Sequence, residues 1–187
     1  MSAPSWLSPA LAALMMLIAV GCTARLGLAR RRGRRADVES DGLHAAMAVA
    51  MAGMLLPAVR VLPWSAWEVA FGGAAAWFAW QALGARRLAL PSAAGGHRAP
   101  LPHLVECVAM FFMFLPLAGR TPAGALGLSQ VVALLLALCM VGCAVWATDK
   151  MVRAKATPAD AALTVRLADG GRIAMSLAML YMLIQMA

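Results

Sequence analysis

The chain has 187 residues, of which 63% are hydrophobic and 13% are charged, and its mean hydropathy is +0.80. A soluble domain has about a quarter charged residues and about half apolar ones, so this composition excludes an ordinary soluble protein. The net charge of +8 does not indicate nucleic-acid binding, because the basic residues follow the pattern of a membrane topology.

Six apolar segments approach or exceed the ~17–20 residues that cross a bilayer. They lie at 6–24, 43–60, 66–84, 103–119, 124–147 and 172–187. Residues 1–24 carry no Lys or Arg, so we expect the first segment to be an uncleaved transmembrane helix rather than a signal peptide. The residues 157–171 are expected to form a separate surface helix that stops at Gly170 and Gly171.

The connections between these segments alternate in charge. Fourteen of the sixteen Lys and Arg residues lie in, or directly after, the loops 25–42, 85–102 and 148–171. The positive-inside rule places these loops in the cytoplasm and both termini outside. The turn between the second and third segments contains Trp64 and Trp67, which are typical of a membrane interface. The sequence therefore predicts an all-α integral membrane protein of six transmembrane helices, multi-pass in a bacterial inner membrane, with 1–187 as one domain.

One pattern recurs on the second, fourth and sixth segments. HAAMAVAMAGM at 44–54 aligns without gaps with HLVECVAMFFM at 103–113 and with RIAMSLAMLYM at 172–182. A polar head residue is followed by residues at the fourth, eighth and eleventh positions, which share an arc of about 80° on a helix. We call each such set a stripe. The stripes are His44, Met47, Met51 and Met54; His103, Glu106, Met110 and Met113; and Arg172, Met175, Met179 and Met182.

The stripes define three hairpin repeats, at about 6–60, 66–119 and 124–187. Each repeat is a plain helix, a basic loop and a striped helix, so the three striped helices are predicted to run parallel. We expect a pseudo-threefold axis along the membrane normal, as in transporters with internal repeats. Met51, Met110 and Met179 would then form one ring around the axis, and Met54, Met113 and Met182 the next.

Thioethers are soft, neutral ligands that select Cu(I) over harder ions. The sequence therefore predicts a protein that binds Cu(I) or a similar soft ion along a Met-lined axis, for transport or delivery. Met51, Met110 and Met179 are the principal expected ligands, and His44 and His103 would receive or release the ion at the cytoplasmic mouth. Expected partners are the lipid bilayer, other membrane proteins or a copper-accepting protein, and no nucleic acid.

Three other interpretations stay open at this point. In the first, the methionines are simple helix contacts in a structural subunit of a membrane complex, since Met is a flexible gap-filler. His44 and His103 also suit bis-histidine haem ligation, with Arg172 near a propionate. Glu106 and Arg172 are expected to form an ion pair, either as a gate or as a structural link. No nucleophile–base pair and no paired carboxylates occur, so we expect no enzyme activity.

The striped segments HAAMAVAMAGML and RIAMSLAMLYML, the polybasic RLGLARRRGRR and the six-helix length resemble one family. That family consists of Met-rich, multi-helix membrane proteins of high-GC actinobacteria, a domain of unknown function, and the resemblance implies a membrane location. The spacing Met47–Met51 and Met175–Met179 is also similar to the MxxxM motif of Ctr-type copper transporters, which have a threefold pore. Glu106–Met110 departs from that motif, and those transporters are trimers of three-helix chains.

Overall fold

The computed structural model describes residues 6–31, 35–87, 100–115, 127–153 and 159–186, which form six α-helices and one 3-10 turn at Pro57–Val59. The helices are α1 (Leu7–Arg31), α2 (Arg35–Leu55), α3 (Trp64–Arg87), α4 (Pro100–Phe114), α5 (Leu128–Arg153) and α6 (Ala159–Met186). The prediction of an all-helical chain is confirmed for this part of the protein. We call α1, α3 and α5 the plain helices, and α2, α4 and α6 the striped helices.

Several helices extend beyond the apolar segments that predicted them. α1 continues past the predicted end at 24 as far as Arg31, and α2 begins at Arg35 rather than near 43. Arg, Leu and Ala are all good helix formers, so a run of arginines ends the apolar stretch without ending the helix. Hydropathy marks where a helix is apolar, while the backbone hydrogen bonds continue beyond that point.

The prediction of a separate surface helix ending at Gly170 and Gly171 is wrong. α6 runs without interruption through both glycines from Ala159 to Met186. A glycine inside a helix costs about 1 kcal/mol relative to alanine, and tertiary packing routinely overrides this cost. A Cβ atom at Gly171 would lie 3.8 Å from Cγ2 of Ile18, so α6 packs against α1 at this point.

The chain divides into two compact units, and the first consists of Met1–Pro63 and Ala147–Ala178. In this unit α1 packs along α2, and the two helices are antiparallel because only residues 32–34 separate them. The guanidinium of Arg25 in α1 lies 3.1 Å from a carboxylate oxygen of Asp41 in α2, and Asp41 is buried. This ion pair links the two helices near their shared end.

The second unit consists of Trp64–Trp146 and Met179–Ala187. Its α3 and α4 form an antiparallel pair, since the start of α3 contacts the end of α4 and the contacts proceed in reverse order. A Cβ atom at Gly72 would lie 3.2 Å from Cε2 of Phe111, which shows how closely the two helices approach. Further along α3, the ring of Phe78 contacts the ring of His103 in α4.

Four aromatic side chains fill the other end of the α3–α4 pair. Trp67 stacks on Phe71 and on Phe114, with ring centroids 5.6 Å and 6.5 Å apart, and Trp64 lies 5.3 Å from Phe114. Trp67 is buried and Trp64 is 41% exposed, and their place at the membrane interface stays a prediction. The spacing of Trp67 from Phe71 places both rings on one face of α3, where stacking against α4 removes them from the surface.

Within the part of the chain that the structure describes, two helices are long and apolar enough to cross a bilayer, namely α1 over Leu7–Leu28 and α5 over Leu128–Arg153. Only 17% and 22% of the residues in their apolar windows are buried. Soluble proteins rarely expose a continuous apolar surface of this kind. The apolar part of α4, Leu101–Phe114, is shorter. The remaining spans stay predictions from the sequence.

Candidate functional site

The eighth stripe position is buried on all three striped helices. Met51 and Met110 are 0% exposed, and Met179 is 1% exposed. The fourth position follows the same pattern, because Met47, Glu106 and Met175 are buried too. At the eleventh position Met113 is buried, whereas Met54 and Met182 are partly exposed. The stripe spacing therefore coincides with the buried face of each striped helix.

His44 heads the stripe of α2 in the first unit and is itself buried. Its Nδ1 lies 2.6 Å from the backbone carbonyl oxygen of Ser40, one helical turn earlier, and 3.4 Å from the Ser40 hydroxyl. A carbonyl oxygen only accepts, so Nδ1 carries the hydrogen and donates it. In the neutral ring Nε2 is then the nitrogen with the lone pair.

His103 heads the stripe of α4 in the second unit. Its Nδ1 lies 3.2 Å from Oε2 of Glu106, one turn later on the same helix. The side chain of Glu106 is 3% exposed and that of His103 is 16% exposed. The ring of Phe78 lies 5.5 Å from the imidazole at an angle of 39°, so α3 restricts the ring from a second direction.

The two head histidines share one chemical feature within their separate units. Each places Nδ1 beside an oxygen of its own helix, and when Nδ1 carries the hydrogen, Nε2 is the acceptor nitrogen of the neutral ring. Metal-binding histidines almost always show this arrangement, because the second hydrogen bond fixes the tautomer and the ring orientation. The two oxygens differ, since His44 uses a main-chain carbonyl and His103 uses a carboxylate.

Residues 36–186 match a protein family described as Domain of unknown function (DUF5134). The chain belongs to the DUF5134 family. The matched range contains all three stripes, which end at Met182. No curated protein and no solved structure matches the chain. The family agrees with the expected resemblance to a domain of unknown function and assigns no activity, while the actinobacterial origin and the likeness to copper transporters stay predictions.

The sequence did not lead us to expect the hydrogen bond between His103 and Glu106 in this DUF5134 protein. The expected partner of Glu106 was Arg172, and that ion pair stays a prediction, with Arg172 half-buried in the first unit. The spacing of three residues between His103 and Glu106 is a helix-neighbour signal that identifies their contact. The Ser40 carbonyl has no such signal, because every residue carries a main-chain oxygen.

Two buried methionines of this DUF5134 protein lie outside the stripes. Met15 of α1 and Met140 of α5 are both 0% exposed. Each is flanked on its buried face by alanines, which are Ala12 and Ala19 in α1 and Ala133 and Ala137 in α5. Burial alone therefore does not distinguish a stripe methionine from an ordinary packing methionine. The repeated spacing and the polar head residue are what set the stripes apart.

Proposed function

We propose that this chain is a multi-pass protein of the bacterial inner membrane that binds Cu(I), or a similar soft ion, for transport or delivery. The ligands are thioethers of the stripe methionines, and the head histidines assist at the cytoplasmic ends of the striped helices. The observation that carries the proposal is the repetition of a buried methionine at the eighth position of all three stripes, as Met51, Met110 and Met179.

The chemistry of these side chains supports a soft ion. A thioether brings no charge into the protein interior, so its burial costs little before the ion is bound. Cu(I) accepts thioether and imidazole ligands, whereas Mg²⁺ and Ca²⁺ require oxygen ligands. The eighth stripe position is methionine on all three striped helices, so each helix would offer the same class of ligand to the ion.

The surfaces of the plain helices support the membrane location. Large apolar side chains of α1, α3 and α5 are exposed, among them Leu17, Val69, Trp80 and Leu138. In water such surfaces drive aggregation, whereas lipid chains solvate them at no cost. Six spans with both termini outside follow from the charge pattern, in which three basic loops alternate with two nearly uncharged turns.

Competition with a Cu(I) chelator tests the metal site. The wild-type protein should withdraw Cu(I) from the chelator, and Met51→Leu, Met110→Leu and Met179→Leu should each lower the affinity about tenfold or more. Leu nearly conserves the volume, so the loss of folding stability should stay below about 1.5 kcal/mol. Met15→Leu and Met140→Leu are matched controls, because these methionines are equally buried outside the stripes.

Two outcomes overturn the copper proposal. In the first, the wild-type protein leaves the chelator fully loaded, and the methionines then serve packing. In the second, the stripe variants lose no more affinity than the control variants, and the stripe methionines are then not the ligands.

Reporter fusions test the topology. A fusion at residue 90 should report the cytoplasm, and one at the C-terminus should report the outside. The same side for both fusions contradicts an even number of spans and the parallel repeats with it.

Haem ligation by His44 and His103 stays a prediction with its own test. The purified protein would show a Soret band that disappears when either histidine becomes Ala. Colourless protein from haem-replete cells excludes this alternative.

A further inference from the structure

We infer that Glu106 is a positioning residue for His103, a role that rests on the proposed function. The carboxylate holds the imidazole in the Nδ1–H tautomer, so that Nε2 is the nitrogen offered to the metal ion. The sequence predicts a different role for Glu106, as a gate or as one half of an ion pair.

The geometry of α4 supports this role. Nδ1 of His103 and Oε2 of Glu106 are 3.2 Å apart, and Glu106 lies one turn further into the helix. In its ionised form Glu106 accepts hydrogen bonds and donates none, so we assign the shared hydrogen to Nδ1. Histidine in water prefers the opposite tautomer, with the hydrogen on Nε2, and that hydrogen blocks the nitrogen that would bind the ion.

The burial of Glu106 makes the interaction strong and specific. With 3% of its side chain exposed, the carboxylate has little contact with solvent and depends on donors within the protein. Hydrogen bonds to an ionised acceptor are roughly twice as strong as neutral ones. A carboxylate behind an imidazole also raises the basicity of the other ring nitrogen, which strengthens its bond to a metal.

His44 provides the comparison within the same molecule. Its Nδ1–H donates to the carbonyl of Ser40, an oxygen that no substitution removes. The oxygen beside Nδ1 of His44 therefore belongs to the backbone of α2, whereas the oxygen beside Nδ1 of His103 belongs to a side chain. A substitution at Glu106 should change the tautomer of His103 and leave the tautomer of His44 unchanged.

Nitrogen-15 NMR of the full chain in nanodiscs, without metal and at about pH 8.5, reads the tautomer of each neutral imidazole directly. We expect Nδ1–H for both His44 and His103 in the wild-type protein. Glu106→Leu should move His103 to the Nε2–H form and leave His44 unchanged. Glu106→Gln keeps an acceptor oxygen and should retain a substantial Nδ1–H population. Phe78→Leu is the control, because it loosens the ring contact without removing the acceptor.

Cu(I) competition on the same variants gives the functional readout. Loss of an outer carboxylate partner typically weakens metal binding about 10- to 100-fold, so Glu106→Leu should fall in this range and Glu106→Gln should lie between it and wild type. A merely structural role for Glu106 would lower thermal stability and leave the His103 tautomer unchanged.

The results separate this inference from the proposed function. An Nε2–H form of His103 in the wild-type protein overturns the positioning role, and so does an unchanged tautomer in Glu106→Leu. If Glu106→Leu fails to fold, the tautomer of His103 in the wild-type protein and in Glu106→Gln still tests the positioning role. Wild-type protein with the Nδ1–H tautomer that does not bind Cu(I) overturns the proposed function and leaves the positioning role intact.

Discussion

The plain helices α1 and α5 differ from the striped helix α2 in which of their side chains are exposed. Along α1 and α5 the large side chains are mostly exposed, and the buried face consists of alanines with Met15 or Met140. Along α2 nearly every described side chain from Asp41 to Gly53 is buried or half-buried, including His44. Two buried residues of α2, Asp41 and His44, are polar, whereas the buried residues of α1 are Ala12, Met15 and Ala19.

The exposed large side chains of α1 and α5 differ from the pattern of a soluble protein, in which Leu, Val and Ile side chains are most often buried. In a bilayer the outer surface must be as apolar as lipid, while the interior tolerates polar groups that find partners. Arg25 with Asp41, and His103 with Glu106, are such partners. Under the proposed function, the plain helices contact lipid and the striped helices carry the metal-binding side chains.

The largest expected effect comes from the striped helices. Met51→Ala removes a fully buried side chain and should lower the free energy of unfolding by about 2–5 kcal/mol through the cavity it leaves. Met16→Ala, at a position of α1 that is 40% exposed, should cost less than about 1 kcal/mol. Unfolding in mixed micelles measures both. An equal loss of unfolding free energy in the two variants would contradict the difference in burial between the two classes of helix.

A charge on a plain helix tests the assignment to lipid. Leu17 is 69% exposed and lies in the middle of the apolar stretch Leu7–Leu28. Leu17→Asp should disfavour membrane insertion by about 2.5–3.5 kcal/mol, the cost of an ionised side chain at the centre of a span. Leu17→Phe should insert like wild type. The measurement is the fraction of protein that resists alkaline extraction from membranes, and equal fractions would place this face in water.

The smallest expected effect compares two neighbouring glycines of α3. Gly73→Ala meets nothing within 4 Å and should stabilise the protein by up to about 1 kcal/mol through helix propensity. Gly72→Ala places its Cβ 3.2 Å from the ring of Phe111, so the clash should offset most of that gain. Thermal unfolding of both variants in detergent reads the difference. A larger gain for Gly72→Ala would contradict the close approach of α3 to α4.

The helical fold was predictable because hydropathy identifies each apolar segment and helix periodicity places each stripe. The ends of the helices were not, since arginines that end an apolar stretch continue α1 to Arg31 and precede Ser40 in α2. The break expected at Gly170 failed for a related reason, because packing against Ile18 outweighs a local propensity.

The candidate site was predictable only in part. The stripe spacing identified Met51, Met110 and Met179, and the structure buries all three. The contact of His103 with Glu106 was predictable from the sequence, because residues three apart are neighbours on a helix. The partner of His44 was not predictable, since a main-chain carbonyl leaves no trace in the sequence.

The most direct measurement is copper-edge X-ray absorption of Cu(I)-loaded protein grown with selenomethionine. A methionine ligand then appears as a copper–selenium distance, which the sulfur atoms of Cys22, Cys107, Cys139 and Cys143 cannot produce. We expect selenium in the first shell of wild-type protein and of a Met15→Leu, Met140→Leu double variant. Selenium should be lost from the Met51→Leu, Met110→Leu, Met179→Leu triple variant. Bound copper without selenium neighbours in the wild-type protein would contradict a methionine site.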